Sequence, residues 1–350
     1  MNATPAYSIH PDEWKTILAE RGLRPFRADQ ILQSLYRDYI TSWDDATTLP
    51  KDLRATLADI FPLSIPSILA RETGSDGTVK LLLGLEDGES IETVLIPAQG
   101  GRMTQCLSSQ VGCAMGCAFC ASGANGLVRS LATHEIVAEV LAARSELAKN
   151  GQTLTNIVVM GLGEPFMNYT NVMRALKILN AGKGPNIGAR HITLSTCGVV
   201  PGFERLAAEG IQFELSVSLH APNDEIRNAL MPVNRRWPLA DLLAACRKYT
   251  RATKRIITFE YTLVKGINDS RANAAELARI VKSVPGAKVN LIPLSPVEHR
   301  PDLATPPEET LLMFLDVLMK NHVQTMLRRS RGKDVRAACG QLRLRKSERK

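Results

Sequence analysis

The chain contains no run of about 18 or more uncharged apolar residues, so nothing in it reads as a membrane-spanning helix. Its first residues, Met1–Ile9, lack the basic and apolar blocks of a secretory signal, and a cytoplasmic location is expected. Seven cysteines in 350 residues are too few and too clustered for a disulfide framework. No internal repeat and no long low-complexity segment is found, which argues against a solenoid. What remains is a globular chain. A hydrophobic content of 45% suits a sizeable core, and 350 residues suffice for one large domain with an appendage, or for two.

The cysteines stand at positions 106, 113, 117, 120, 197, 246 and 339. Three of them within eight residues point to metal or redox chemistry. The formal charge of +8 is uneven: Arg328 to Lys350 holds ten Lys or Arg against Asp334 and Glu348, and the rest of the chain balances. A local basic stripe suggests a polyanionic partner such as nucleic acid, or else a solvated tail. Cys339 lies inside it.

Helical spacing of apolar residues over Pro11–Arg21 and Arg27–Ile40 predicts a helical N-terminal region, residues 1–75. Alternating runs at Val79–Leu85 and Ser90–Ile96, separated by the turn signals Asp76-Gly77 and Asp87-Gly88, predict a small β extension over residues 76–102. From residue 103 to 327, strand-like segments alternate with helical ones. The strands expected are Met103–Ser109, Asn156–Met160, His191–Ser195, Phe213–Leu219, Ile257–Val264, Val289–Pro293 and Val323–Leu327. Amphipathic helices such as His134–Lys149, Leu239–Arg251 and Glu308–Lys320 lie between them. This pattern predicts an α/β fold with a parallel sheet, doubly wound or curled into a full or partial barrel. Residues 328–350 form a basic C-terminal segment. In barrels, the loops at strand C-termini build the active site.

The loop after the first such strand reads Cys113-Ala-Met-Gly-Cys117-Ala-Phe-Cys120. Three thiolates cannot serve all four irons of a four-iron cube, so one iron is left open for a further ligand. The competing reading is a structural zinc site with Cys106 as fourth ligand, although such sites usually pair two CxxC-like halves. The spacing, with an aromatic residue before the last cysteine, resembles the signature of radical S-adenosylmethionine enzymes. That resemblance implies one [4Fe-4S] cluster on Cys113, Cys117 and Cys120, whose open iron chelates the methionyl group of the cosubstrate.

Turns at other strand ends fit the same pocket. Gly161-Leu-Gly163-Glu164-Pro165 resembles the superfamily turn that meets the cosubstrate's ammonium, with Gly163 allowing close backbone approach. Ser195 and the Ser218-Leu219-His220 turn offer hydroxyls and an imidazole. Ser195 and Ser218 are read as cosubstrate contacts, together with Leu219 and His220.

A closer resemblance rests on Cys106-Leu-Ser-Ser-Gln-Val-Gly-Cys113, Ile91-Glu92-Thr-Val, Ser218-Leu-His-Ala-Pro-Asn-Asp-Glu225 and Ala337-Ala-Cys339-Gly-Gln-Leu342. These look like the RlmN/Cfr family of RNA-methylating enzymes, over essentially the whole chain. The resemblance implies a radical S-adenosylmethionine partial (βα) barrel with a small helical N-terminal accessory domain that contacts RNA. It also implies methylation of C2 of an adenosine in the peptidyl-transferase centre of large-subunit rRNA, and of an adenosine beside the tRNA anticodon. The Cfr branch would methylate C8 instead, and a non-catalytic zinc-stabilised RNA-binding protein is the alternative from another class.

The chemistry accounts for the two outlying cysteines. Adenine C2 is an electron-poor amidine carbon that does not attack a sulfonium methyl. By resemblance, Cys339 takes a methyl from one S-adenosylmethionine, and a second cosubstrate, cleaved reductively, activates that methyl as a carbon radical. Cys106 then resolves the RNA adduct through a transient disulfide, which a reducing compartment tolerates. Glu92 and Cys106 are both candidates to accept the C2 proton. Electrons would come from a donor such as flavodoxin, and a monomer is expected. The Arg328–Arg336 cluster would bind phosphates. Cys197 and Cys246 read as packing residues. One departure is Ser295, where the family usually has an Asn contacting the cosubstrate.

Overall fold

The computed structural model describes residues 3–342. Three short helices, α1 (Trp14–Glu20), α2 (Ala28–Tyr36) and α3 (Lys51–Ile60), form the N-terminal region. On α2 the buried residues Ala28, Ile31, Leu32 and Leu35 recur at three and four positions, the stripe that turns one helix face inward. They meet a small aromatic core. Trp14 packs edge-on against Phe61 with ring centroids 5.1 Å apart, and Trp43 Nε1 donates to the Phe61 carbonyl at 2.7 Å. The region is tied to the rest of the chain by the Arg174–Glu13 ion pair and by Lys183 Nζ on Asp29 Oδ1 at 2.7 Å.

Twelve strands make up the β structure: β1 (Ser67–Thr73), β2 (Val79–Gly84), β3 (Ser90–Pro97), β4 (Met103–Cys106), β5 (Gln110–Gly112), β6 (Leu127–Ser130), β7 (Asn156–Val159), β8 (Ile192–Thr196), β9 (Glu214–Ser218), β10 (Ile257–Leu263), β11 (Lys288–Pro293) and β12 (Thr325–Leu327). Ten of them make one sheet in the order β1-β2-β3-β4-β7-β8-β9-β10-β11-β12, and β5 with β6 forms a separate hairpin. From β4 onward every neighbouring pair is parallel, whereas β1 to β4 pair antiparallel. The order does not close on itself, so the architecture is a partial barrel. Helices α4 (Thr133–Ala148), α5 (Tyr169–Asn180), α6 (Pro201–Ala208), α7 (Asp224–Leu230), α8 (Leu239–Thr253), α9 (Arg271–Lys282) and α10 (Glu308–Lys320) supply the crossovers.

The α/β reading of the sequence holds, with two differences. The β extension starts earlier than residue 76, because Ser67–Thr73 is a strand. Its side chains are mostly exposed, so it shows no inward-outward alternation to read. The hairpin of β5 and β6, three and four residues long, is likewise too short to show a period, yet it brackets the cysteine loop.

Strands buried on both faces usually read as continuous apolar runs. Here only one face does. Leu215, Val217, Phe259, Tyr261 and Leu291 are fully buried. On the other face, Ser218, Glu260 and Asn290 stand at one register level across β9, β10 and β11. The concave face of the sheet is therefore polar, and it opens at the strand C-termini.

Candidate active site

A cleft occupies that open end, where small-molecule sites of such folds are commonly built. Its walls include Cys113, Cys117 and Cys120, the turn Gly163-Glu164, and Ser195, Ser218, His220 and Ser295. Cys339 and Gly340 of the C-terminal segment complete it. Residues spread over more than 220 positions of sequence are thus brought to one site.

The cysteine loop is held from three sides. The Cys113 N–H donates to the Gly126 carbonyl at 2.9 Å, Ala118 N–H to Leu230 at 2.9 Å, and Ala121 N–H to Gly340 at 2.7 Å. Burial pushes the Cys113 thiol up to about 11, and burial raises those of Cys117 and Cys120 as well. Each of the three also feels the charge of a neighbouring cysteine, which places their sulfurs in one field. Among the described residues no three His, Cys, Asp or Glu side chains converge on a point suited to a single ion. A tetrahedral zinc site requires such convergence, whereas three thiolates on three different irons do not.

Glu164 is buried, and burial raises its carboxyl. Its oxygens take the N–H groups of Cys197, at 2.7 Å, and Phe166, at 2.9 Å, and its own N–H donates to Gln110 Oε1 at 2.9 Å. The side chains of Cys197 and Thr196 add to this shell, and the carboxyl lines the cleft, where a cationic donor would meet it. Gly163 has φ of +99°, and a Cβ there would stand 2.6 Å from the Gln110 Cβ, so only glycine permits this approach.

His220 adopts a left-handed backbone, φ +55°, and its Nδ1 accepts the Thr262 N–H at 2.8 Å. The ring is therefore the neutral tautomer with its proton on Nε2. Burial, helped by the Arg227 guanidinium, lowers its pKa to about 3, so it is a hydrogen-bond donor rather than a proton shuttle near neutral pH. Leu219 differs from its neighbours. Its side chain is fully buried in the core and only its backbone is near the site, donating to the Glu260 carbonyl at 3.0 Å. Ser295 lines the cleft and its Oγ donates to Ser330 Oγ at 3.2 Å.

Cys339 is exposed, and Cys106 is half-buried at the end of β4. Burial, then the charge of Cys339, pushes the Cys106 thiol up, so the two sulfurs are electrostatic neighbours. Glu92 lies on β3, almost wholly buried, with a carboxylate oxygen 3.9 Å from Lys80 Nζ, and it does not line the cleft.

Three further residues of the cleft are not evident as such in the sequence. Arg328, expected to bind phosphate, lines the cleft. Cys339 first, then Glu260 and Cys106, hold its guanidinium above the ordinary arginine range despite its burial. Glu260 receives Ser216 Oγ at 3.1 Å and Asn290 Nδ2 at 3.0 Å on one oxygen, while the other oxygen has no hydrogen-bond partner among the described residues. A charged residue inside the otherwise apolar Ile257-Thr-Phe-Glu-Tyr-Thr-Leu263 is the signal the sequence offers for it. Cys197, expected only to pack, also lines the cleft, whereas Cys246 is a core residue. The donors therefore suit an iron–sulfur cluster with a zwitterionic nucleoside beside it: three thiols in one loop, a buried carboxyl on the cleft wall and an unpartnered buried acceptor on Glu260.

A model of the radical S-adenosylmethionine superfamily matches residues 107–278, in keeping with this barrel and this cysteine loop. A second model, the ribosomal RNA large subunit methyltransferase N-terminal domain, matches residues 8–63. A crystal structure of a radical SAM methyltransferase from Sphaerobacter thermophilus superposes with a TM-score of 0.93 at 47% identity, covering 97% of this chain and 99% of that one. Relatives from Geobacillus kaustophilus and Halalkalibacterium halodurans, each named probable dual-specificity RNA methyltransferase RlmN, are 44% and 45% identical over 337 residues. That span is 96% of this chain and 92% of each relative. The chain belongs to the RlmN family.

Proposed function

We propose that the protein methylates C2 of adenosine in large-subunit rRNA and in tRNA beside the anticodon, using Cys339 as a methyl carrier. The observation that carries this reading is the seating of Cys339. Its neighbour Gly340 is bonded to the cluster loop at 2.7 Å, and its sulfur shares a charge environment with Cys106 and Arg328. The relatives named as dual-specificity RNA methyltransferases support RNA as the substrate class.

A cluster on Cys113, Cys117 and Cys120 would supply the electron that cleaves S-adenosylmethionine to a 5′-deoxyadenosyl radical, drawing on a low-potential donor such as flavodoxin. Glu164, Gly163, Ser195, Ser218, His220, the backbone of Leu219 and Ser295 would orient the cosubstrate. Cys339 would first displace the methyl from one cosubstrate molecule, its sulfur taking the carbon as the sulfonium bond breaks and its thiol proton is lost. A second molecule would remove one hydrogen from that S-methyl, and the methylene carbon would join adenine C2. The adduct would give up one electron and the C2 proton, Cys106 would attack the Cys339 sulfur so that the carbon–sulfur bond breaks, and the freed carbon would take a proton from solvent, leaving a disulfide for reduction. Cys106, an electrostatic neighbour of Cys339, and Glu92 are the candidate proton acceptors, and neither lines the cleft itself. Glu92, ion-paired at Lys80 behind the cleft wall, would act on the C2 proton only through other groups.

The test is nucleoside mass spectrometry of rRNA and tRNA transcripts incubated with the reconstituted protein, S-adenosylmethionine and reductant. 2-Methyladenosine in both is the expected product. 8-Methyladenosine, or no product from an iron-loaded protein that cleaves the cosubstrate, contradicts the reading.

A further inference from the structure

We infer that the loop Pro232–Trp237 is a phosphate-docking ridge that seats RNA beside the cleft, an inference that rests on the RNA reading above. The sequence places Arg235 and Arg236 side by side between Pro232 and Pro238, whose rings restrict the backbone on either side. In the structure Pro232–Arg235 is a single 3₁₀ turn leading into α8.

The turn is part of the cleft wall. Met231, just before it, lines the cleft, and Leu230 accepts the Ala118 N–H of the cluster loop at 2.9 Å. Its underside is fixed by a buried polar network. Arg227 donates to the Asn234 Oδ1 at 2.7 Å, to the Cys197 carbonyl at 2.7 Å and to the Leu219 carbonyl at 3.1 Å. Asn234 in turn donates to Asp224 at 2.7 Å and Asn228 at 2.9 Å. A loop held this firmly cannot swing its charges away from one another.

The outer side carries those charges. Arg235 and Arg236 are both exposed, and neither has a carboxylate partner among the described residues. The Arg236 guanidinium stacks on the Trp237 ring, 4.8 Å from its centroid, which leaves the N–H edges free to point outward. Several other surface arginines are ion-paired: Arg129 with Asp87 and Glu135, Arg300 with Asp302, Arg329 with Glu308 and Arg336 with Glu298. In the C-terminal stripe, Arg331 is spent on the Pro97 carbonyl at 2.7 Å, and Arg328 faces the cleft. Beside the cleft the ridge therefore offers two guanidinium groups in addition to the C-terminal stripe, where Lys333 is also exposed. Two adjacent, preorganised guanidinium forks match the oxygens of a phosphodiester and position the chain without reading its bases.

The experiment measures binding of an rRNA fragment and a tRNA transcript to full-length protein by fluorescence anisotropy at several KCl concentrations. The R235A/R236A variant should bind both RNAs roughly tenfold more weakly at low salt, and its log–log salt slope should flatten by about 0.7 to 0.9 for each phosphate no longer neutralised. A charge-matched control, R251A/K254A, at the far end of α8, should keep the wild-type slope, and R235K/R236K should recover most of it. Unfolding midpoints of all three variants verify that they fold. Equal losses in R235A/R236A and the control, or no loss in either, would overturn the ridge. Wild-type protein that binds neither RNA at low salt would overturn the RNA reading, and the ridge with it.

Discussion

The Ala121 N–H donates to the Gly340 carbonyl at 2.7 Å, joining the residue after the last cluster cysteine to the residue after Cys339. A second bond, Ser122 Oγ to the Leu342 carbonyl at 2.8 Å, repeats the link two residues on. Farther back, the Ser75 N–H on Asp334 at 2.7 Å and the Gly332 N–H on Asp76 at 2.9 Å tie the same segment to the turn between β1 and β2. The exposed thiol is thus carried on a segment pinned at both ends.

Gly340 has φ of +82°, and a Cβ there would stand 2.9 Å from the Phe119 carbonyl oxygen. A left-handed non-glycine residue costs about 1–2 kcal/mol before any clash, so Gly340→Ala should displace Cys339 and lower RNA methylation roughly tenfold or more. Cosubstrate cleavage should fall much less. Comparing methylated nucleoside with 5′-deoxyadenosine in one reaction checks it. A parallel fall in both would place Gly340 in the cluster's support rather than the carrier's.

Replacing any one of Cys113, Cys117 or Cys120 by Ala would remove one of the three thiolates proposed to hold the cluster. Iron content after anaerobic reconstitution should drop and 5′-deoxyadenosine formation should be abolished. Variants that cleave the cosubstrate at the wild-type rate would show that these cysteines do not hold the cluster.

Cys106 and Cys339 should fail differently. Cys339→Ala removes the carrier, so no covalent RNA complex forms. Cys106→Ala keeps it, so Cys339 becomes methylated, the base is attacked, and a protein–RNA adduct survives denaturation for want of a resolving thiol. Two packing thiols would instead give similar mild instability and no adduct. Denaturing electrophoresis with labelled RNA distinguishes these outcomes. A methylated Cys339 without an adduct in Cys106→Ala excludes the resolving role.

His220 gives a pH dependence with a defined sign. Its pKa is lowered to about 3 by burial and Arg227, from about 6.5 in the unfolded chain. The unfolded state therefore binds the extra proton first as pH falls. Its contribution to stability is complete above about pH 6.5 and declines by roughly 1.4 kcal/mol per unit between there and about pH 3. Thermal midpoints of wild type and His220→Asn should converge toward the acid end of that window. Identical acid slopes would show that the ring is not held neutral in the fold.

Much of the site is legible in the amino-acid sequence because its chemistry is local. Cys113, Cys117 and Cys120 sit in one loop, and Gly163-Glu164 and Ser218-Leu219-His220 are single turns at strand ends. What the sequence hides is set by register and long-range docking. Glu260 reaches the cleft because it aligns with Ser218 and Asn290, and one residue's slip would turn it outward. Arg328 reads in the sequence as one charge in a basic stripe. Only the fit of its segment, bonded to a turn 259 residues away in sequence, shows that it faces Cys339. Arg235 and Arg236 form a smaller cluster of charge than that stripe. Their place on a turn beside the cleft, fixed from below by Arg227 and Asn234, depends on packing and is what sets them apart.

The carrier role of Cys339 is tested most directly with S-adenosylmethionine bearing a trideuterated methyl group. If Cys339 accepts that methyl and then loses one deuterium to the 5′-deoxyadenosyl radical, the methyladenosine product must carry two deuterium atoms and one hydrogen from solvent. The abstracted deuterium should appear in 5′-deoxyadenosine. A product that retains all three deuterium atoms would mean direct transfer from the cosubstrate, and would contradict the account.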